Sequence, residues 1–140
     1  MDHLHPLIVH FPIVLLVVWP AIDALGLALG RPDVCRVAAG LLLLAIPCSL
    51  AATLSGQSAY DAAIAAGVLP ALLDTHADLA NPIPWLVVAV AVARLVGARR
   101  LGLRGQIIGL VLGVALAGLV LSAGRSGGAL VFDHGVGVAR

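Results

Sequence analysis

Four long apolar segments constrain this chain more than any other feature of its sequence. They run from Leu7 to Leu29, Val34 to Leu54, Ile83 to Ala98 and Gly105 to Ala123. About 20 helical residues cross a hydrocarbon core of about 30 Å. The chain is 61% hydrophobic and only 11% charged, which is more apolar than a soluble domain of 140 residues. The sequence therefore predicts an integral membrane protein.

Helices are the expected form of these spans. In lipid every backbone N–H and C=O must be bonded internally, which leaves helices or closed barrels. The segments lack the polar and apolar alternation of barrel strands. We therefore expect an all-α fold, a four-helix transmembrane bundle that uses residues 1–140 as a single domain. No internal repeat is recognisable, and Cys35 and Cys48 lie too far apart along one helix to form a disulfide.

The arginines indicate which end of the bundle faces the cytoplasm. In or beside the first and third connections lie Arg31, Arg36, Arg94, Arg99, Arg100 and Arg104. With four spans these two connections share one side, and the positive-inside rule assigns that side to the cytoplasm. Both termini and the second connection, residues 55–82, are then predicted on the outer, periplasmic side of a bacterial inner membrane.

All five histidines are predicted on that outer side. His3, His5 and His10 open the first span, His76 precedes the third, and His134 follows the fourth. An ionisable side chain at the edge of the bilayer is by default a candidate functional residue. His10 and His76 each lead directly into a span and form the first predicted ligand pair. His5 and His134 are a second pair or replacements for the first.

Two imidazoles on facing helices suit the axial positions of a haem iron. Tyr60 and Arg125 are predicted on the same side, where they could meet the haem propionates. One or two haem b groups are expected. The alternative cofactor is copper, zinc or non-haem iron, which Asp74 or Asp78 would help to bind.

These residues predict a b-type cytochrome-like subunit that transfers electrons near the outer face. The alternatives are a non-haem metal-binding membrane protein, or a structural subunit of a larger complex whose histidines only form hydrogen bonds. No Ser-His-Asp or Cys-His arrangement is evident, so an electron-transfer or accessory subunit is expected rather than a stand-alone enzyme. No motif for binding nucleic acid or nucleotides is present.

Three further expectations concern packing and the tail. Gly109 and Gly113 form a GxxxG pair, which is typical of close helix packing. Asp23 is predicted near the inner face, either as a simple anchor of the helix end or paired with Arg36. The glycine-rich residues 124–140 predict a turn or a short hairpin that brings His134 back over the helix ends.

Three stretches resemble a known family. The opening "HPLIVHFPIVLL" (residues 5–16), "DTHADLA" before the third span and "GGALVFDHGVGV" (residues 127–138) are similar to the bacterial membrane family called domain of unknown function 2231. The resemblance covers nearly the whole chain, in order, and implies four spans. It further implies a redox-linked role, since related domains are joined to Rieske iron-sulfur or cytochrome c-type modules.

The resemblance also implies particular residues and partners. His5, His10, His76 and His134 are the family positions carried over to this chain. The chain has no C-x-x-C-H motif for covalent haem attachment. A periplasmic redox protein of the Rieske or cytochrome c type would therefore be a separate partner, within a larger membrane complex or a homo-oligomer in the lipid bilayer.

Overall fold

The computed structural model describes residues 4–138, which are helical apart from short turns and contain no strand. The helices are α1 His5–Ile8, α2 His10–Ala28, α3 Pro32–Ala65, α4 Pro70–Ala80, α5 Ile83–Leu101 and α6 Leu103–Phe132. They form four runs that are long and apolar enough to span a membrane: His5–Ala28, Pro32–Ala65, Pro70–Leu101 and Leu103–Phe132. The prediction of an all-α fold with four membrane-spanning helices is confirmed.

The first and third spans are each interrupted near one end by a proline. Pro12 cannot donate a hydrogen bond to the carbonyl of Ile8, and regular helix is interrupted between α1 and α2. Pro82 has the same effect between α4 and α5. The consequence is a pair of short helices, α1 and α4, and these carry His5 and His76.

Two helices extend well beyond their predicted ends. α3 continues past Leu54 to Ala65, and α6 continues past Ala123 to Phe132. Hydropathy detects where apolar residues stop, whereas the helix continues through Ser, Gln, Ala and Asp. α3 has 34 residues, so it is about 51 Å long and exceeds a hydrocarbon core of about 30 Å. Just after α3 the chain turns at Gly67, whose φ of 88° allows this turn.

The predicted hairpin in the tail is wrong. Residues 124–132 are the last turns of α6, because Gly127 is a packing position against His76 and not a turn residue. The chain turns only after Phe132, and Gly135 has the positive φ, 67°, that this turn requires. His134 nevertheless lines the same cavity as His76, as expected.

The core lies where all four spans meet. α2 packs against α3 and α6, while α5 packs against α6 and α3. Gly109 lies against Arg94, where an added Cβ would approach within 2.7 Å, and Gly113 lies against the ring of Trp19. The predicted packing role of the GxxxG pair is confirmed. The core residues are Leu16, Trp19, Leu42, Ala45, Val87, Val90, Ala91, Leu116 and Val120.

The outward surface of the bundle is strongly apolar. Val14 and Val111 are 57% and 61% exposed, as are many other leucine and valine side chains. Continuous apolar surface of this extent marks contact with lipid or another protein. Trp85 and Phe132 are highly exposed near the end that carries the histidines, a position that aromatic residues favour at the membrane–water interface.

Candidate functional site

His5 is held on α1 by a serine and a glycine of α3. The imidazole is half-buried, and its Nδ1 lies 3.0 Å from Ser55 Oγ. Ser55 Oγ donates its own proton to the carbonyl of Ala52 at 2.9 Å. The serine oxygen is then the acceptor for His5, so the His5 proton is assigned to Nδ1. Gly56 lies against the ring, where a Cβ would come within 2.9 Å of Cε1.

The His76 ring, on α4, is held by a serine and a glycine of α6, just as the His5 ring is held by a serine and a glycine of α3. Its Nδ1 lies 3.0 Å from the carbonyl of Ala123 and 3.1 Å from Ser126 Oγ. A carbonyl only accepts, so the proton of this ring is also assigned to Nδ1. Gly127 lies against the ring, where an added Cβ would come within 2.9 Å of Cε1. The ring is half-buried, like that of His5.

The two imidazoles face each other. Their ring centroids are 6.5 Å apart and the ring planes are inclined by 70°. Since Nδ1 of each ring donates a hydrogen bond, Nε2 of each ring keeps its lone pair. Neutral imidazole with a free Nε2 and a hydrogen-bonded Nδ1 is the form in which histidine binds metals. The pair is therefore prepared chemically to act as two ligands.

A cavity of about 250 Å³ adjoins His76 between α4 and α6, and His5 is not among its lining residues. It is lined on the polar side by Thr75, His76, Ser126 and His134, and elsewhere by alanine and leucine. The turn after α6 places the exposed His134 ring at its mouth. The structure thus brings His5, His76 and His134 to one end of the bundle, called the histidine end below.

His10 does not occupy the predicted position. It is exposed at the start of α2, and His5 rather than His10 is the ring that faces His76. The reason is helical phase: His5 and His10 are five residues apart, about 140° around the helix axis, and it is the His5 side that faces α3. A second pair of His5 with His134 is likewise not formed, since His5 is already the partner of His76. His3 lies outside the described residues.

Tyr60 and Arg125 are both near the histidine end, with different surroundings. The Tyr60 hydroxyl donates to Asp74 Oδ1 at 2.8 Å and so joins α3 to α4 two residues before His76. Its contact is with α4, and its role in the site is to hold that helix. Arg125 is exposed on α6 beside Ser126.

The carboxylates expected to help bind a non-haem metal are not grouped with the histidines. Asp74 accepts the hydrogen bond from Tyr60. Within residues 4–138 no three His, Cys, Asp or Glu side chains are arranged as a metal-binding group. The described donor set is two imidazoles.

Asp23 pairs with Arg94, not with Arg36 as in the second of the two predictions. Arg94 donates from Nε at 2.7 Å and from Nη2 at 2.6 Å to the two carboxylate oxygens, and both side chains are buried. Gln106 Oε1 lies 3.5 Å from the same guanidinium. The position of Arg94 inside the third apolar segment, well before the end of α5, was the signal that this arginine does not belong to the loop.

A bundle of four apolar spans with a pair of facing imidazoles at one end defines a small multi-pass membrane protein with a candidate ligand site. The family model of DUF2231, described as predicted membrane protein, matches residues 1–140, so the chain belongs to this family. No curated protein and no solved structure matches it.

Proposed function

We propose that His5 and His76 bind haem b as its two axial ligands and that the protein is an electron-transfer subunit. The observation that carries the proposal is the facing pair itself, with both Nδ1 atoms hydrogen-bonded and no hydrogen bond to either Nε2 within residues 4–138. This replaces the predicted pair of His10 and His76 with the pair that the helix geometry favours.

The separation of the rings suits one metal ion between them. A bond from a metal to imidazole nitrogen is about 2.0–2.1 Å long. The ring centroids are 6.5 Å apart, so His5 and His76 are close enough that both could hold one metal ion.

The number of ligands favours haem over zinc or copper. A structural zinc ion takes four protein ligands and a catalytic one takes three, whereas a haem iron takes at most two axial ligands from the protein. Two imidazoles are what the described residues bring together. Copper, zinc or non-haem iron remains the alternative outcome of the experiment below, and a purely structural role is the other.

The residues around the pair have definite tasks. The hydrogen bonds from Nδ1 to Ser55 and to Ala123 fix the ring orientation and increase the basicity of Nε2. Gly56 and Gly127 have no side chain, so α3 can approach the His5 ring and α6 can approach the His76 ring. When bound, haem would supply one-electron redox chemistry at a potential set by these neighbours.

The arrangement of charge supports the proposed orientation and partners. Arg31, Arg36, Arg99, Arg100 and Arg104 lie in or beside the two connections opposite the histidine end. The positive-inside rule then directs the histidine end to the periplasm of a bacterial inner membrane. A soluble periplasmic redox protein, or a larger membrane complex, would exchange electrons there.

The proposal predicts a visible spectrum that depends on two particular histidines. Purified protein reconstituted with haem is expected to give sharp reduced-minus-oxidised bands, which His5→Ala and His76→Ala abolish because each removes an axial ligand. His10→Ala is the matched control and should keep the bands, since His10 is exposed. Metal analysis accompanies the spectra. A colourless protein with bound copper, zinc or iron contradicts haem, and a protein with neither contradicts any ligand role.

A further inference from the structure

The two histidine sites are built in the same way. Each imidazole reaches a Ser-Gly pair, Ser55-Gly56 or Ser126-Gly127, and each serine lies 50 residues after its histidine. Each serine hydroxyl also donates to the carbonyl three residues earlier, at 2.9 Å in both cases. Two unrelated sites would not share the residue types, the spacing and the hydrogen bonds together.

A single displacement along the chain relates all of these residues. Asp23 and Arg94 are 71 residues apart, and the same displacement converts His5 to His76 and Ser55-Gly56 to Ser126-Gly127. The residues that contact each other across the bundle, His5 with His76 and Asp23 with Arg94, are therefore equivalent positions.

The buried positions follow the same displacement. In α2 the buried residues Leu16, Trp19, Pro20 and Asp23 correspond to Val87, Val90, Ala91 and Arg94, which are buried in α5. In α3 the buried residues Ala38, Leu42, Ala45 and Ser49 correspond to Gly109, Gly113, Leu116 and Val120, which are buried in α6. Helix contacts correspond as well, because α2 touches α3 and α6 just as α5 touches α6 and α3.

We infer that residues 5–67 and 76–138 are two equivalent halves related by a two-fold axis along the membrane normal. The axis has this direction because both halves start at the histidine end and run the same way, as in parallel membrane repeats. Equivalent residues that touch each other must lie on either side of the axis, which passes between them. The axis therefore passes between the facing histidines at one end and between Asp23 and Arg94 deeper in the bundle.

The repeat assigns one His-Ser-Gly unit to each half of the ligand site. Resting on the proposed function, His5 and His76 would hold the haem as equivalent ligands, one from each half. Ser55 and Ser126 are then equivalent positioning residues, because each orients one ring through Nδ1 without touching the ligand. A symmetric site of this kind is suited to a ligand that presents two identical faces.

Distances between spin labels test the repeat without any cofactor. In a variant without native cysteines, labels would be attached to the pair Val14 and Val111 and, separately, to the equivalent pair Trp85 and Gly40. All four positions are exposed on the bundle surface. Pulsed electron–electron double resonance in lipid nanodiscs should give the same distance distribution for both pairs, because a two-fold axis exchanges them.

A register control makes this comparison strict. The pair Trp85 and Leu43 moves one label by three residues along α3, about 4.5 Å of helical rise, and is not equivalent to Val14 and Val111. Its distribution should differ from that pair. If the equivalent pairs differ as much as the control pair does, the two halves are not related by an axis and the inference is overturned.

The two serines test the equivalence at the ligand itself. With haem bound, Ser55→Ala and Ser126→Ala should each shift the midpoint potential in the same direction and by similar amounts, since each removes a hydrogen bond to a ligand ring. Ser122→Ala is the control, because that hydroxyl is exposed and bonds only within its helix. A shift in one variant alone contradicts equivalence. A protein that takes up no haem contradicts the proposed function, while the label distances still decide the repeat.

Discussion

Replacing Arg94 by alanine is expected to lower the free energy of unfolding by about 3–5 kcal/mol, because it leaves a buried charge without its partner. Arg94 and Asp23 form two hydrogen bonds, and their side chains are only 6% and 1% exposed. Inside a membrane bundle little water can solvate the remaining carboxylate. The pair also joins α2 to α5, so its loss weakens the contact between the two halves.

The effect of Arg94→Ala would be measured by unfolding in mixed detergent micelles, followed by circular dichroism. Arg99→Ala is the matched control, since Arg99 lies on the same helix and is exposed. Its effect should fall within about 0.5 kcal/mol of zero. The double variant Asp23→Ala/Arg94→Ala should be more stable than Arg94→Ala alone, because no unpaired charge remains. Equal effects for Arg94→Ala and Arg99→Ala would contradict this account of the pair.

The fold was accessible from the sequence because lipid leaves few choices for an apolar chain. The run from Gly105 to Ala123 could only be a helix at membrane depth, and the packing role of Gly109 and Gly113 followed from their spacing. The ends of α3 and α6 were not accessible in this way. Beyond Leu54 the helix is stabilised by contacts with α1 and no longer by the bilayer. Those contacts leave no pattern in the local sequence.

The site was only partly accessible for a related reason. Topology alone placed the histidines at one end, but the choice between His5 and His10 depends on helical phase. A position that leads directly into a span favours His10, whereas His5, about 140° away around the same helix, is the ring that contacts α3 and faces His76. The roles of Ser55 and Ser126 could not be predicted, because a serine in a polar stretch is ordinary until the ring that it contacts is known.

The repeat was hidden by divergence at its most informative positions. Asp23 and Arg94 are equivalent places occupied by opposite charges, and Trp19 is matched by Val90. Residue identity survives at His5 and His76 and at the two Ser-Gly pairs, and otherwise at common small or aliphatic residues such as Gly26 and Gly97, which do not stand out in an apolar chain. The burial pattern preserves the repeat because both halves pack around one axis, and packing tolerates changes of residue type more readily than changes of position.

Replacing Gly127 by valine is expected to reduce haem affinity by about 10–100-fold while the bundle stays folded. A Cβ at this position would lie 2.9 Å from Cε1 and 3.2 Å from Nδ1 of His76. The ring is held by the carbonyl of Ala123 and by Ser126, so it can move aside only by breaking those bonds and turning Nε2 away from His5. Valine favours helix over glycine by roughly 0.5 kcal/mol, which offsets part of the roughly 1 kcal/mol lost with a hydrogen bond, so the variant is expected to remain folded.

The adjacent Gly128 supplies the matched control for this prediction. A Cβ at Gly128 meets no atom within 4 Å, so Gly128→Val introduces the same side chain on the same helix without touching the imidazole. Haem titration followed by absorbance should separate the two variants, and circular dichroism should show that both are folded. Unchanged haem affinity in Gly127→Val would contradict the role of the His76 ring as a ligand, because that ring cannot keep its present position beside valine. Gly56→Val should reproduce the loss through His5, since Gly56 contacts that ring at the same 2.9 Å.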